Sequence, residues 1–462
     1  MHHTMKSHVT RYLLPSTLML IAAVCVGQIQ GELPYRRTKA ERFLSNAPAR
    51  SEGPAKMFYI EGITTPAGKK PPAGSLAKAG FDNLTNGYAP QGPDFNTITR
   101  ENVIPTRSFN DGRFIFEQTE TPATGIGPIY NAESCAACHQ NVVTGGASQT
   151  TIQRTGHTEG DMFFESLGGS LIQSRATNAD IVEHVVDTDE TRAFRISPAT
   201  LGAGYVECIS DSTLMAISAA QPEGVRGTAV SVPVLEGDGS ARIGRFGWKS
   251  QHASVVSFAA DAYANEMGVT SPLFMEENTS TGTFVGFGTQ YDPLPEPEDT
   301  GDDVEGFAFF IRSTKVPPRG LITTAVRSGE KQFNAIGCGV CHVSSITTAS
   351  AGTVINGGSF VVPTALGNKV VRPYSDFLLH DVGTGDGIPI QPLPEFAGTA
   401  KQMRTAPLWG LRTRNRLMHD GLSFTLSEAI LRHAGQAADA ASQFSALNPT
   451  DKANLLAFLN SL

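Results

Sequence analysis

Two short stretches hold the residues best suited to chemistry, Cys135-Ala-Ala-Cys138-His139 and Cys338-Gly-Val-Cys341-His342. Two thiols about one helical turn apart, followed at once by a histidine, suit addition to the two vinyl groups of a haem with the imidazole beneath the iron. Paired cysteines also build structural zinc sites. Against zinc stand the adjoining histidine in both copies and their separation, since Cys338 follows Cys135 by 203 positions. The pattern reads as two covalently bound haem c groups. Cys135, Cys138, Cys338 and Cys341 are the attachment points, and His139 and His342 are the proximal iron ligands.

The rest of the chain must position these groups. It has 462 residues, 40% of them hydrophobic and 17% charged, enough to bury a sizeable core. The formal net charge of −8 and the lack of a basic run exclude nucleic acid as an expected partner. Of the six cysteines, Cys25 and Cys208 fall outside the motifs, so there is no disulfide framework, and Cys208 reads as a small buried hydrophobe. Lys6 and Arg11 precede an apolar run from Leu13 to Val26, which reads as a signal peptide over residues 1–31. The run is short for a membrane span of about 20 residues, so no stable span is expected after processing. Export fits haem c, which bacteria attach outside the cytoplasm, and the expected location is the periplasm or another exported compartment.

Residues 32–90 are rich in Pro, Gly and Lys and read as extended or partly disordered, with a short helix near residues 39–44. The paired glycines after the first motif, in Val143-Thr-Gly-Gly-Ala147, predict a tight turn. Thr228–Leu235 is β-branched but contains Pro233, and so is at best an edge strand. Ala253–Met267 has an apolar helical face, and Val304–Arg312 is a further helix. The acidic, Pro-rich run Asp292–Asp303 reads as an exposed loop, with cation binding as the alternative. An amphipathic helix, Ala325–Ile336, runs into Cys338. A last helix starts at Asn448-Pro-Thr-Asp451, where Asn448 suits the N-cap and Pro449 the first helical position.

Several blocks together resemble a known family. Arg404-Thr-Ala-Pro-Leu-Trp-Gly-Leu-Arg412, His419-Asp-Gly421, Thr425–Ile430, Arg432-His-Ala-Gly435, Gly168–Gln173, Phe246-Gly-Trp-Lys249, Met267–Pro272 and Tyr374–Gly383 are similar to the bacterial di-haem oxidoreductases, also described as thiol oxidoreductases. More distantly, that family resembles bacterial di-haem cytochrome c peroxidases. Those pair a peroxide-reacting haem with an electron-relay haem and hold calcium between their domains. The resemblance covers roughly residues 90–462. It implies a mainly α fold of two cytochrome c-like haem domains with long loops and a few short strands. The expected organisation is a first haem domain over 91–320 with insertions and a C-terminal domain over 321–462.

The resemblance also nominates distal groups. His157 follows His139 by 18 positions, in a setting similar to that of a distal histidine in the peroxidases; the alternative is a surface-loop histidine. His433 follows His419 by 14 positions, where the peroxidases carry a methionine ligand; the alternative is a histidine at a helix end. His419 and His380 read as propionate or loop-ordering groups. Thr405 and Pro407 are similar to residues whose carbonyls face the interdomain calcium, but Ile196 stands where that site would expect an asparagine. Where the peroxidases use a catalytic glutamate this chain has Ser257-Phe258, neither of which is a carboxylate acid–base group. Glu207 is a candidate substitute; the alternative is a salt-bridged structural glutamate. Trp248 and Trp409 are electron-relay candidates, with packing as the default.

The expected function is an exported di-haem oxidoreductase moving electrons between a small-molecule substrate or oxidant and an external redox carrier. The expected cofactors are two covalently bound haem c groups and, by the resemblance, calcium. The expected partner is a small redox protein or small-molecule donor. The rival is a non-catalytic di-haem electron-transfer cytochrome, and peroxidase activity is in doubt for want of the glutamate.

Overall fold

Local capping signals set most of the helix starts. In the computed structural model, which describes residues 74–92, 108–160, 162–237, 239–391 and 396–462, helix α1 (Phe109–Glu117) begins at Ser108. The Ser108 hydroxyl accepts the Asp111 N–H at 3.2 Å, and the Asp111 carboxylate accepts the Ser108 N–H at 2.8 Å. A single turn, α2 (Cys135–Cys138), is capped by Ser134. Then follow α3 (Ala203–Glu207), α4 (Asp211–Ala220) and α5 (Val255–Ala262), which runs on into a π-helical turn over Tyr263–Met267. The second half contributes α6 (Asp302–Ser313), α7 (Thr324–Ala335), α8 (Leu426–Leu431), α9 (Ala438–Ala446) and α10 (Pro449–Leu459). Asn448 caps α10 as the sequence predicts, accepting the Asp451 N–H at 2.9 Å. The signal peptide and the 39–44 helix lie outside the described residues. No described helix is long and apolar enough to cross a membrane.

The expected mainly α architecture of two cytochrome c-like domains is not what the chain builds. Among the described residues helices hold 31% and strands 17%, the latter in several small sheets. The largest departure follows the first haem motif, where Thr151–Glu159 pairs antiparallel with both Met162–Glu165 and Thr191–Ile196. Thr151, Ile152, Thr155 and Thr158 are β-branched and favour a pleated surface. Near the start of the described chain, Ser75–Leu76 pairs parallel with Lys369–Val371, a strand that also takes Ile346–Thr347 antiparallel. Ser231–Pro233 is half of a two-stranded ribbon, consistent with the edge position that Pro233 imposes.

The main core packs α1, α3, α5 and α6 together, with Phe116 against Phe310 (ring centroids 5.0 Å) and Tyr263 edge-on to Phe307 (4.9 Å). Cys208 is fully buried in it. A second core forms where α7 crosses α10, around Phe333, Tyr374 and Phe458. Gly329 permits this crossing: a Cβ there would stand 1.9 Å from the Asn454 carbonyl oxygen. The Asp292–Asp303 run is also a correction. Asp292, Asp299 and Asp303 are 5%, 3% and 2% exposed. Asp299 turns inward because its carboxylate accepts the N–H groups of Asp303 and Val304 at the start of α6.

Candidate haem sites

The two C-x-x-C-H stretches fold alike. In each, the histidine N–H donates to the carbonyl of the first cysteine at 3.0 Å, His139 to Cys135 and His342 to Cys338. Each imidazole is then fixed from the side. His139 Nδ1 lies 3.1 Å from the Gly146 carbonyl oxygen, and His342 Nδ1 lies 2.9 Å from that of Tyr374. A carbonyl can only accept, so Nδ1 carries the proton and Nε2 keeps its lone pair. Phe116 stands beside His139 (6.3 Å between centroids) and Phe333 beside His342 (5.9 Å).

The Gly146 carbonyl is placed by the predicted glycine turn. The Gly145 N–H donates to the His139 carbonyl at 2.7 Å, and Asn141 and Ala147 exchange backbone hydrogen bonds across the turn. The Tyr374 carbonyl is placed by the second core, which buries the Tyr374 ring. Burial pushes His139 down, opposed by the Gly146 and Pro198 carbonyls. Burial pushes His342 down to about 4, opposed by the Tyr374 carbonyl and reinforced by the neighbouring His433. Both rings are therefore neutral near pH 7, as a metal-binding imidazole must be. Burial pushes three of the four thiols up, Cys138 to about 11, Cys338 to about 12, and Cys135 as well. The donor set at each motif, two thiols and one Nε2 lone pair held by a second bond through Nδ1, fits a haem.

His433 sits just past α8 and shares the device: its Nδ1 lies 2.8 Å from the Ala429 carbonyl oxygen, which leaves Nε2 its lone pair. Burial pushes it down as well. His433 lies near enough to His342 to oppose its charge. His157 differs. It lies on the Thr151–Glu159 strand, stacked on Phe164 (5.4 Å, 18°), with Asp189 at 3.6 Å and Glu159 at 3.7 Å, both too long for hydrogen bonds. Among the described residues, none of its ion pairs or ring contacts is with the first motif.

The remaining candidates are structural in their contacts. Glu207 is 0% exposed, paired with Arg312 at 2.7 and 2.8 Å, and accepts from the Val255 N–H and the Asn356 amide at 2.9 Å each. The Thr405 carbonyl accepts from the Ser375 hydroxyl at 2.5 Å and from Arg404, and the Pro407 carbonyl from Arg414. Guanidinium groups thus supply positive charge beside both carbonyls. Ile196 uses its backbone carbonyl to bind the Trp248 N–H at 2.8 Å. Trp409 is 5% exposed and packs in the main core. His380 Nε2 lies 2.8 Å from Asp376 and its Nδ1 3.6 Å from Cys341 Sγ. Burial opposes its charge, but the bonds to Asp376 and Cys341 raise it to about 10.

Two groups escaped the reading of the sequence. The carbonyls of Gly146 and Tyr374 are one; the glycine pair was the only signal for either. The other is Glu236. Its Oε2 accepts from the hydroxyls of Ser254 (2.8 Å) and Ser257 (2.6 Å). A carboxylate from the 231–243 ribbon therefore bonds Ser257, the residue that the resemblance sets where the peroxidases have glutamate.

No curated protein sequence matches the chain. Among solved structures, Kuenenia stuttgartiensis hydrazine synthase is similar at 15% identity and a TM-score of 0.37, over 87% of this chain and 98% of that one. A MauG-like protein associated with microbial copper homeostasis is similar at 14% identity and a TM-score of 0.34, over 81% and 92%. The family model described as "Di-haem oxidoreductase, putative peroxidase" matches residues 158–462, a stretch that contains the second motif and the His419–Gly435 blocks. The chain is a member of the di-haem oxidoreductase family.

Proposed function

We propose that this di-haem redox protein is exported and binds both haems covalently, one through Cys135 and Cys138 and the other through Cys338 and Cys341, with His139 and His342 as proximal ligands. The observation that carries the reading is the shared Nδ1-to-carbonyl bond of His139, His342 and His433, which leaves three Nε2 lone pairs for two irons. His342 and His433 are the residues that would hold the second haem. Among the described residues His157 makes no such Nδ1-to-carbonyl bond, being stacked on Phe164 between two carboxylates, so it is not assigned to the first haem. The first site therefore meets the substrate or oxidant, and the second exchanges electrons with an external carrier, a small redox protein or small molecule.

Bound haem supplies one-electron chemistry at its iron. The chain's own residues do the rest. The carbonyls of Gly146 and Tyr374 orient the imidazoles and raise their basicity. The carboxylate of Glu236, joined to Ser257, is the group able to hold or move a proton where the peroxidases use glutamate. The test is pyridine haemochrome and intact-mass analysis of protein matured in a periplasm, followed by spectra with cyanide, carbon monoxide and peroxide. Two covalent haems with one of them binding ligand support the reading. A mature chain without covalent haem overturns it. Two low-spin irons that bind nothing in either oxidation state make the protein an electron carrier.

A further inference from the structure

Away from the haem motifs, one carboxylate oxygen from each of Glu277, Asp292, Glu296 and Glu298 lies within 4.8 Å of the others. This is not a solvated acidic surface. Glu277 is 3% and Asp292 5% exposed. Asp292 Oδ1 accepts the Leu294 N–H at 3.0 Å, while its Oδ2 is buried with no hydrogen-bond partner, as is Glu296 Oε1. Asp292, Glu296 and Glu298 have no ion-pair partner among the described residues.

The chain holds these groups in place from outside the cluster. The buried Thr270 hydroxyl bonds both Glu296 and Glu298, the Thr270 N–H donates to Glu298 Oε2 at 2.8 Å, and the Asp299 N–H donates to the Thr270 carbonyl at 3.0 Å. Burial pushes all four carboxyl groups up, Glu296 to about 8, and for Glu277 the three neighbouring carboxylates add to it. Unpaired buried oxygens held in this way cost several kcal/mol unless a proton or a cation meets them.

An all-oxygen, all-carboxylate set selects a hard cation. Oxygens at about 2.3–2.6 Å from one calcium ion are at most roughly 5 Å apart, and the observed spread meets that limit. We propose that Glu277, Asp292, Glu296 and Glu298 form a calcium site that fixes the 270–301 segment ahead of α6. It shares no residue with the Thr405 and Pro407 carbonyls expected from the family resemblance, and it does not depend on which haem meets substrate. Its structural consequence runs through α6, which packs Phe310 on Phe116 of α1, the ring beside His139.

The experiment uses the haem-loaded full chain. Calcium content is measured by mass spectrometry before and after EGTA, and the thermal midpoint is followed as calcium or magnesium is added back. The double variant D292N/E296Q is treated identically. The wild type should carry about one more calcium per chain than the variant, and its midpoint should fall in EGTA and recover with calcium more than with magnesium. In EGTA the variant should melt above the wild type, because amides remove the repulsion, and calcium should reverse that order. Equal calcium content in both proteins, or a wild-type midpoint indifferent to EGTA and calcium, overturns the proposal. If the double variant does not fold, Asp292→Asn alone takes its place in the same comparison.

Discussion

The Gly146 carbonyl oxygen lies 3.1 Å from His139 Nδ1, and nothing but glycine fits at that carbonyl: a Cβ on Gly146 would stand 2.1 Å from the Asn141 backbone oxygen. The turn that orients the first imidazole therefore has no slack. Gly146→Ala should open the turn and withdraw the carbonyl. Haem content at the first site should fall, and any haem retained there should show a higher midpoint potential, because an imidazole that loses its Nδ1 acceptor is a weaker donor to the iron. Spectroelectrochemistry checks this. Gly224→Ala, where a Cβ meets nothing within 4 Å, is the control and should match the wild type.

His433→Ala should convert the second haem from low to high spin and change its potential, leaving the first haem's ligand binding intact. His157→Ala should leave the spin state of both haems unchanged, because its ring is occupied by Phe164 and flanked by Asp189 and Glu159. Electron paramagnetic resonance separates the two. A high-spin signal from His157→Ala would make it the distal ligand after all and close the first pocket.

Acid should destabilise the protein in two windows. Burial pushes His419 from 6.5 down to about 4, although Asp420 and Asp386 oppose the shift. Between those values the unfolded chain binds the extra proton, so stability falls as pH drops from 6.5 to 4, by on the order of 3 kcal/mol. Asp386 is opposed by burial but held down at about 2, from 3.8, by Arg195 and Lys249. Its contribution is present above 3.8 and is lost as pH falls towards 2, about 2 kcal/mol. Urea titrations at stepped pH should show His419→Gln flattening the upper window. Asp386→Asn should abolish the lower one and be less stable at neutral pH, with Lys249 and Arg195 left buried and unpaired.

The C-x-x-C-H stretches stand out in the sequence because their pattern is local: five consecutive residues carry both thiols and the imidazole. Helix α10 was legible for the same reason, since Asn448, Pro449 and Asp451 act within one turn. The partners of the imidazoles were not. Tyr374 reaches His342 only because α7 and α10 cross at Gly329 and bury the Tyr374 ring beneath them. The acidic run misled in the other direction. Asp292-Pro-Leu-Pro-Glu296 has the composition of a solvated loop, and only the fold shows Thr270 gripping Glu296 and Glu298 from a distant strand of sequence. The mainly α expectation failed at Thr151–Glu159, where β-branched residues and two partner strands outweigh family resemblance.

Glu207 provides the sharpest division between scaffold and catalysis. Its carboxylate is fully buried, and burial alone would raise it. Arg312, the Val255 N–H and Asn356 more than offset that and hold it ionised below the usual range. The Arg312 guanidinium also lies 3.9 Å over the Phe360 ring, so the pair ties α3 and α6 to Phe360. Removing one member of such a pair leaves the other charged and uncompensated, which typically costs about 3–5 kcal/mol. Glu207→Gln should therefore lower the denaturant midpoint sharply, while the haem spectra and any turnover per folded molecule stay near wild type. The double change Glu207→Gln with Arg312→Met should recover part of the loss, because no unpaired charge remains. Normal stability with turnover abolished would be the opposite result, and would make Glu207 a proton-transfer group.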